Sequence, residues 1–362
     1  MKVTEQLHHL GQSLWLDNIT RGLLNSGTLE RYIDDFSISG LTSNPSIFDY
    51  SIRDSTFYDN AIHDHDRPDN IEKLFFKLAI DDLTKAADMF RPIYDSTGGR
   101  DGWVSLEVSP LLAYDSVRTL AAARELTNAA KRENLFIKIP GTPHGLSAIE
   151  DAIFFGIPVN VTLLFSADQY WQAARAYMRG IARRIGAGLD PDVPSVASIF
   201  ISSWDKAVTG REPDGLKNRL GIAIAGQAYR TYRELVDSPD WLDLESKGAV
   251  PQRLVWASTG TKDPKASDTL YISALAAPDT INTMPEATLL AFAKHGRLTG
   301  GLTANGGDCE AVLKTFGHAG INAGRLAEHL QREGADTFVD AWKDLMRCIE
   351  SKARGVPVGA GA

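Results

Sequence analysis

Apolar and polar positions along this chain fall into blocks with two distinct periods. Short, nearly continuous apolar runs recur at 14–19 (LWLDNI), 38–44 (ISGLTSN), 104–109 (VSLEVS) and 135–140 (LFIKIP). Four more follow at 158–165 (PVNVTLLF), 195–201 (SVASIFI), 253–259 (RLVWAST) and 280–284 (TINTM). Runs of this length and composition read as strands buried on both faces. Between most of them the apolar spacing lengthens to three and four, which predicts helices. One covers 71–94 ahead of the stop DSTGG, and one at 166–188 opens on Ser166 and Asp168 and ends in glycines. The stretch 214–238 behaves likewise, and 336–352 (DTFVDAWKDLMRCIESK) reads as an amphipathic C-terminal helix. Eight strands alternating with helices predict a parallel α/β fold, and eight units in one domain favour a closed (β/α)8 TIM-type barrel with additional helices. An open doubly wound sheet would more often begin with a G-x-G-x-x-G turn, and LDNITRGLLNSG has none. The expectation is one domain over residues 1–355 and a flexible tail at 356–362.

Composition narrows the partners. A net charge of −8 argues against general affinity for nucleic acid or anionic membranes. No apolar run approaches the roughly 18 to 20 residues that cross a bilayer, and MKVTEQLHHLGQSLWLD lacks a signal-peptide core. Two isolated cysteines, Cys309 and Cys348, fit a reducing cytoplasm and are read as inert. The run HDHDRPD (63–69) alternates histidine and aspartate but offers no third His or Cys at ligand spacing, so it reads as a solvated loop. The Gly-rich stretch 296–308 follows the last strand, lacks a phosphate-loop lysine and reads as plain loop. No cofactor and no metal is expected.

The fourth strand poses the chemical question. Lys138 sits between Ile137 and Ile139, with Leu135 and Phe136 before it and Pro140 after. Lysine is rarely buried fully, and burial disfavours its charged form. A neutral amine is what attack on a carbonyl and Schiff-base formation require. In a barrel of this kind the chemistry gathers at the C-terminal strand ends. Those ends here supply Asp17, Thr42 and Asn44, Glu107, Lys138, Asn160 with Thr162, Ser198 with Ser202, and Ser258 with Thr259. Seven of the eight strands thus offer a polar group, and the two charged ones in apolar frames, Glu107 and Lys138, are the least easily explained as ordinary strand ends. An iminium on Lys138 would act as an electron sink for breaking a neighbouring C–C bond once a base takes a hydroxyl proton. Asp17 is a candidate for that base. Glu107 is a candidate for moving protons through a water held by Thr162. One lysine and two carboxylates on separate strands point to class I aldol chemistry.

GLTSNPSIF (40–48) resembles the N-terminal signature of the transaldolase family. LWLDNITR, VSLEVSPLLAYD and FIKIPGT are similar to the family's strands that carry its aspartate, glutamate and Schiff-base lysine. VNVTLLFS, SVASIF, LVWASTGTKDP and DTLYISALAAPDTINTMPEAT are similar to later blocks, particularly in a bacterial branch with chains of this length. The resemblance runs in order from about residue 10 to about residue 350. It implies transfer of a dihydroxyacetone unit from fructose 6-phosphate or sedoheptulose 7-phosphate to erythrose 4-phosphate or glyceraldehyde 3-phosphate, in the non-oxidative pentose phosphate pathway, without a cofactor. It also implies Lys138 as nucleophile, Asp17 as base at the C4 hydroxyl, and Glu107 with Thr162 on the catalytic water. By the same resemblance, Asn44 and Asn160 bind dihydroxyacetone hydroxyls, with Ser198 nearby and Phe200 shaping the pocket.

One departure stands out. Many family members have an arginine, bound to the substrate phosphate, where this chain has Ser203 in FISSWDKAV. The phosphate is then expected to rely on Ser258, Thr259, the backbone amides of STGTK and the cation Lys262, with Lys206 as a lesser helper. Trp204 and Trp256 are read either as core or as pocket walls, and the C-terminal helix either as packing or as a lid over the mouth. Two other functions stay open at this point: an aldolase that releases dihydroxyacetone, and a sugar-phosphate-binding protein without catalysis. Monomer and homodimer are likewise both open.

Overall fold

All eight apolar runs form strands: β1 (Ser13–Asp17), β2 (Ile38–Thr42), β3 (Trp103–Glu107), β4 (Leu135–Pro140), β5 (Val159–Leu164), β6 (Ser195–Phe200), β7 (Arg253–Ala257) and β8 (Thr280–Met284). In the computed structural model, which describes residues 1–64, 70–298 and 300–355, they pair in sequence order, all parallel, and β1 closes on β8. The architecture is the expected (β/α)8 barrel with additional helices. The stretches read as a solvated His/Asp loop and a flexible tail lie mostly outside the described residues, at 65–69 and 356–362.

Side chains alternate along each strand, so every second residue faces the barrel axis. Outward residues such as Leu14, Leu41, Ile137, Ile139 and Leu254 join the main core under the helices. Inward residues Trp15, Trp103, Phe136, Val196, Val255 and Ile281 fill the lower barrel as a separate cluster, with Trp103 and Phe136 stacked at 4.0 Å. Space in that layer is tight. A Cβ on Gly40 of β2 would lie 2.5 Å from the Trp15 ring, so glycine is required there. The lower barrel is a packed floor, and register carries the polar residues above it: Glu107 pairs with Lys138, Lys138 with Asn160, and Asp17 with Thr42.

The helix expected at 71–94 spans Ile71–Ser96, and the one after Ser166 spans Ala167–Gly186 with the Ser166 hydroxyl accepting from the Gln169 amide. Two helices depart from the reading. The pattern from 214 becomes helical only at Leu220–Val236. Gly215 and Asn218 both take left-handed backbone, which a right-handed helix cannot contain, and the start is set by Asp205, which accepts from the amides of Leu220 and Gly221. The C-terminal helix is longer than read, Ala323–Ala353, capped by Asn322. Its glycines, Gly324 and Gly334, weaken the helical pattern of the first half. This helix crosses the C-terminal end of the barrel and docks Trp342 against Phe75 and Phe76. Among the described residues no helix is long and apolar enough to cross a membrane.

Candidate active site

A cavity of about 170 Å³ opens among the C-terminal strand ends. Asp17, Asn44, Lys138 and Thr162 line it, and so do Ser198, Phe200, Ser258 and Lys262. Glu107 and Asn160 are buried beside it. A larger groove of about 600 Å³ lies along the 296–308 loop, but its lining holds no lysine and no second carboxylate beside Asp308. The chemistry read from the strands therefore concentrates in the smaller space.

Lys138 is only 5% exposed, yet it is not alone. Its Nζ lies 3.3 Å from Glu107 Oε2 and donates to the Ser43 carbonyl at 3.0 Å. The buried ammonium is thus matched by a carboxylate on the neighbouring strand, the arrangement that makes a charge tolerable away from water. Burial drives the Glu107 carboxyl above its usual range, with Lys138 pulling it down and Asp17 pushing it further up. Burial likewise raises Asp17, opposed by Lys138, by a hydrogen bond from Thr42 and by Lys262. Both carboxylates therefore hold protons more readily than surface acids, a property suited to groups that exchange them.

The hydroxyls are organised around these charges. Thr42 donates to Asp17 at 2.8 Å and lies 2.6 Å from the Thr283 hydroxyl. Asn44 caps the helix Pro45–Arg53 through its side-chain oxygen, which accepts from the Ile47 amide and holds the residue at the cavity wall. Below the lysine, Ser198 donates to Asn160 and Asn160 donates to Ser105, a chain that crosses from β6 to β3. Beside the cavity, among the described residues, the Thr162 hydroxyl and Glu107 Oε1 have no protein hydrogen-bond partner, and Glu107 Oε2 has its ion pair with Lys138 alone. Polar atoms buried in this way are normally satisfied by water or ligand, and here they belong to the two residues read as holding a water.

At the outer end, Ser258 sits in left-handed backbone just past β7 and shares a 2.9 Å hydrogen bond with Ser202. Among the described lining residues Lys138 and Lys262 are the cations. Ser203 and Lys206 do not line the cavity. Thr259 does not reach it either, because its hydroxyl is taken up by Asn282 and the Thr283 carbonyl. Both tryptophans prove to be core. Trp204 is fully buried with its indole donating to the Phe165 carbonyl, and Trp256 is buried on the outer face of β7. The reading missed Thr283, which gives β8 the polar group it was thought to lack, and which alternation with Ile281 already places inward. It also missed Phe338, a C-terminal-helix ring lining the cavity 6.4 Å from Phe200.

Comparison with known proteins agrees with this geometry. Residues 14–349 match the family described as Transaldolase/Fructose-6-phosphate aldolase. The chain is 40% identical to a Transaldolase of Arthrobacter sp. (strain FB24), over 96% of each chain. It is 39% identical to Transaldolase 2 of Streptomyces coelicolor over 99% of each, and 42% identical to a Transaldolase of Thermobifida fusca over 94% of this chain and 96% of that one.

Proposed function

This chain belongs to the transaldolase/fructose-6-phosphate aldolase family, and on that premise we propose how its cavity performs the reaction. The activity is that of a transaldolase: a dihydroxyacetone unit passes from a ketose phosphate to an aldose phosphate through a lysine Schiff base. In our reading the Lys138 ammonium gives its proton to Glu107, and the freed amine attacks the ketose C2 carbonyl. The carbinolamine loses its oxygen as water, taking protons through Glu107 and a water held by Thr162, and leaves an iminium. Asp17 then accepts the C4 hydroxyl proton. The C3–C4 bond breaks, its electron pair moves into the iminium to form an enamine, and the aldose phosphate departs with a new carbonyl. An incoming aldehyde is attacked by the enamine C3, Asp17 returns the proton to the new alkoxide, and hydrolysis frees Lys138.

Asn44, Asn160 and Ser198 hold the hydroxyls of the three-carbon unit in this reading, and Phe200 walls it. Ser258, the nearby backbone amides and Lys262 take the phosphate. The two buried, unpaired cysteines support the cytoplasmic location that belongs with this activity.

The observation that carries the proposal is the buried Lys138–Glu107 pair facing a cavity shared with Asp17. Borohydride reduction in the presence of fructose 6-phosphate should trap a covalent adduct on Lys138, mapped by peptide mass spectrometry. An adduct on another lysine, or none, refutes the assignment.

A further inference from the structure

Among the described residues, the C-terminal helix hydrogen-bonds to the ends of β4 and β5 through Gln331. Gln331 is 8% exposed, and its amide nitrogen donates to two backbone carbonyls, Gly141 at 3.1 Å and Leu163 at 2.9 Å. These carbonyls lie just past Lys138 on β4 and just past Thr162 on β5. The backbone there is unusual. Leu163 has φ +57°, and the β5–β6 ladder slips between Val161 and Leu164. A left-handed leucine is unfavourable and persists only where its surroundings fix it. Bulges of this type re-aim the side chain beside them, and the side chain beside this one is Thr162. The Thr162 carbonyl in turn accepts from the Gly141 amide at 2.7 Å, so Gln331 closes a ring of backbone contacts around the residue.

The helix is built to reach this spot. Gly334, one turn on, lets it approach: a Cβ there would lie 3.1 Å from Leu163 Cδ2. Phe338, two turns on from Gln331, lines the cavity. Residues 331, 334 and 338 share one helix face.

We propose that Gln331 is a positioning residue for the transfer reaction. By holding the carbonyls of Gly141 and Leu163 it maintains the β5 bulge, and the bulge sets where the Thr162 hydroxyl stands relative to Glu107 and Lys138. Proton transfer at the lysine then depends on the C-terminal helix being seated. The inference rests on the role given to Thr162 above.

Gln331→Met removes both donors at nearly constant volume. It should lower kcat for transfer from fructose 6-phosphate about tenfold, leave KM within about twofold, and slow borohydride-trappable adduct formation in a single turnover. In a Thr162→Ala background the same substitution should cost less than about twofold, since the group it positions is gone. A merely structural role predicts the opposite, a lowered Tm and a full additional loss on top of Thr162→Ala. Either that additivity or an unchanged kcat in Gln331→Met overturns the proposal. Should Gln331→Met not fold, Gln331→Glu keeps the shape. Its carboxylate cannot donate, so its kcat relative to the parent should fall as pH rises and recover as the carboxyl protonates, and a pH-independent ratio would refute the tether. If Thr162→Ala alone leaves kcat unchanged, the failure is in the role of Thr162, and the inference falls with it.

Discussion

At the scale of single residues, the site sets charge against burial. Among the described residues no cation lies within ion-pairing distance of Asp17, and burial outweighs the attraction of Lys138 and the hydrogen bond from Thr42, so its carboxyl lies above the usual 3.8. The folded protein then binds that proton more tightly than the unfolded chain. Stability falls as pH rises through the interval between the two values, and the deficit persists at neutral pH. Asp17→Asn removes this titration. Scanning calorimetry should find the variant melting higher than the parent at pH 8, by a margin that shrinks toward pH 4, while kcat drops by ~10²–10⁴-fold. A margin independent of pH would mean that Asp17 does not carry the deficit. Lys262 is the complementary case, an exposed cation at the outer end of the cavity. A charge-assisted hydrogen bond contributes about 1.5–3 kcal/mol, so Lys262→Ala should raise KM for fructose 6-phosphate about tenfold or more while kcat moves less than about threefold. An unchanged KM would show that this cation does not bind the phosphate. Lys138 and Glu107 were legible in the sequence because a charge in an apolar strand has few explanations, and Asp17 because it is a carboxylate at a strand end. Thr259 misled because a hydroxyl at a strand end looks alike whether it points up into the cavity or back toward Asn282.

At the scale of elements, the strands were legible and two helix boundaries were not, and the difference has a physical cause. A strand buried on both faces writes its burial into every residue, as LFIKIP does. The helix Leu220–Val236 instead begins where Asp205, fifteen residues earlier in sequence, reaches its first amides, and no local pattern records that contact. The floor of the barrel depends on a similarly distant fit. Trp15 is held by its indole donating to Asp101, which also accepts from Ser39, so the ring cannot readily swing away from Gly40. Gly40→Ala therefore overpacks the layer directly beneath Asp17 and should cost about 1–3 kcal/mol, read as a lower urea midpoint with an unchanged slope. Wild-type stability in this variant would show that the ring has room to move.

For the whole molecule, topology decides which parts of the chain meet. Barrel closure makes β1 the neighbour of both β2 and β8, and this is why the hydroxyls of Thr42 and Thr283, 241 residues apart, come within 2.6 Å beside Asp17. The eight-strand layout predicts that closure. It does not predict which helix crosses the mouth, because the first half of the C-terminal helix carries two glycines, of which Gly334 serves close approach to β5 rather than helix strength. The Thr42–Thr283 contact also has a consequence for biosynthesis. At about 5–20 residues per second, Asp17 leaves the ribosome ~13–53 s before the hydroxyl that completes its surroundings. The helix bearing Gln331 and Phe338 emerges later still. A nascent chain can carry Lys138 and Glu107 on adjacent strands and still lack an assembled cavity, which is complete only once β8 and the C-terminal helix have joined it.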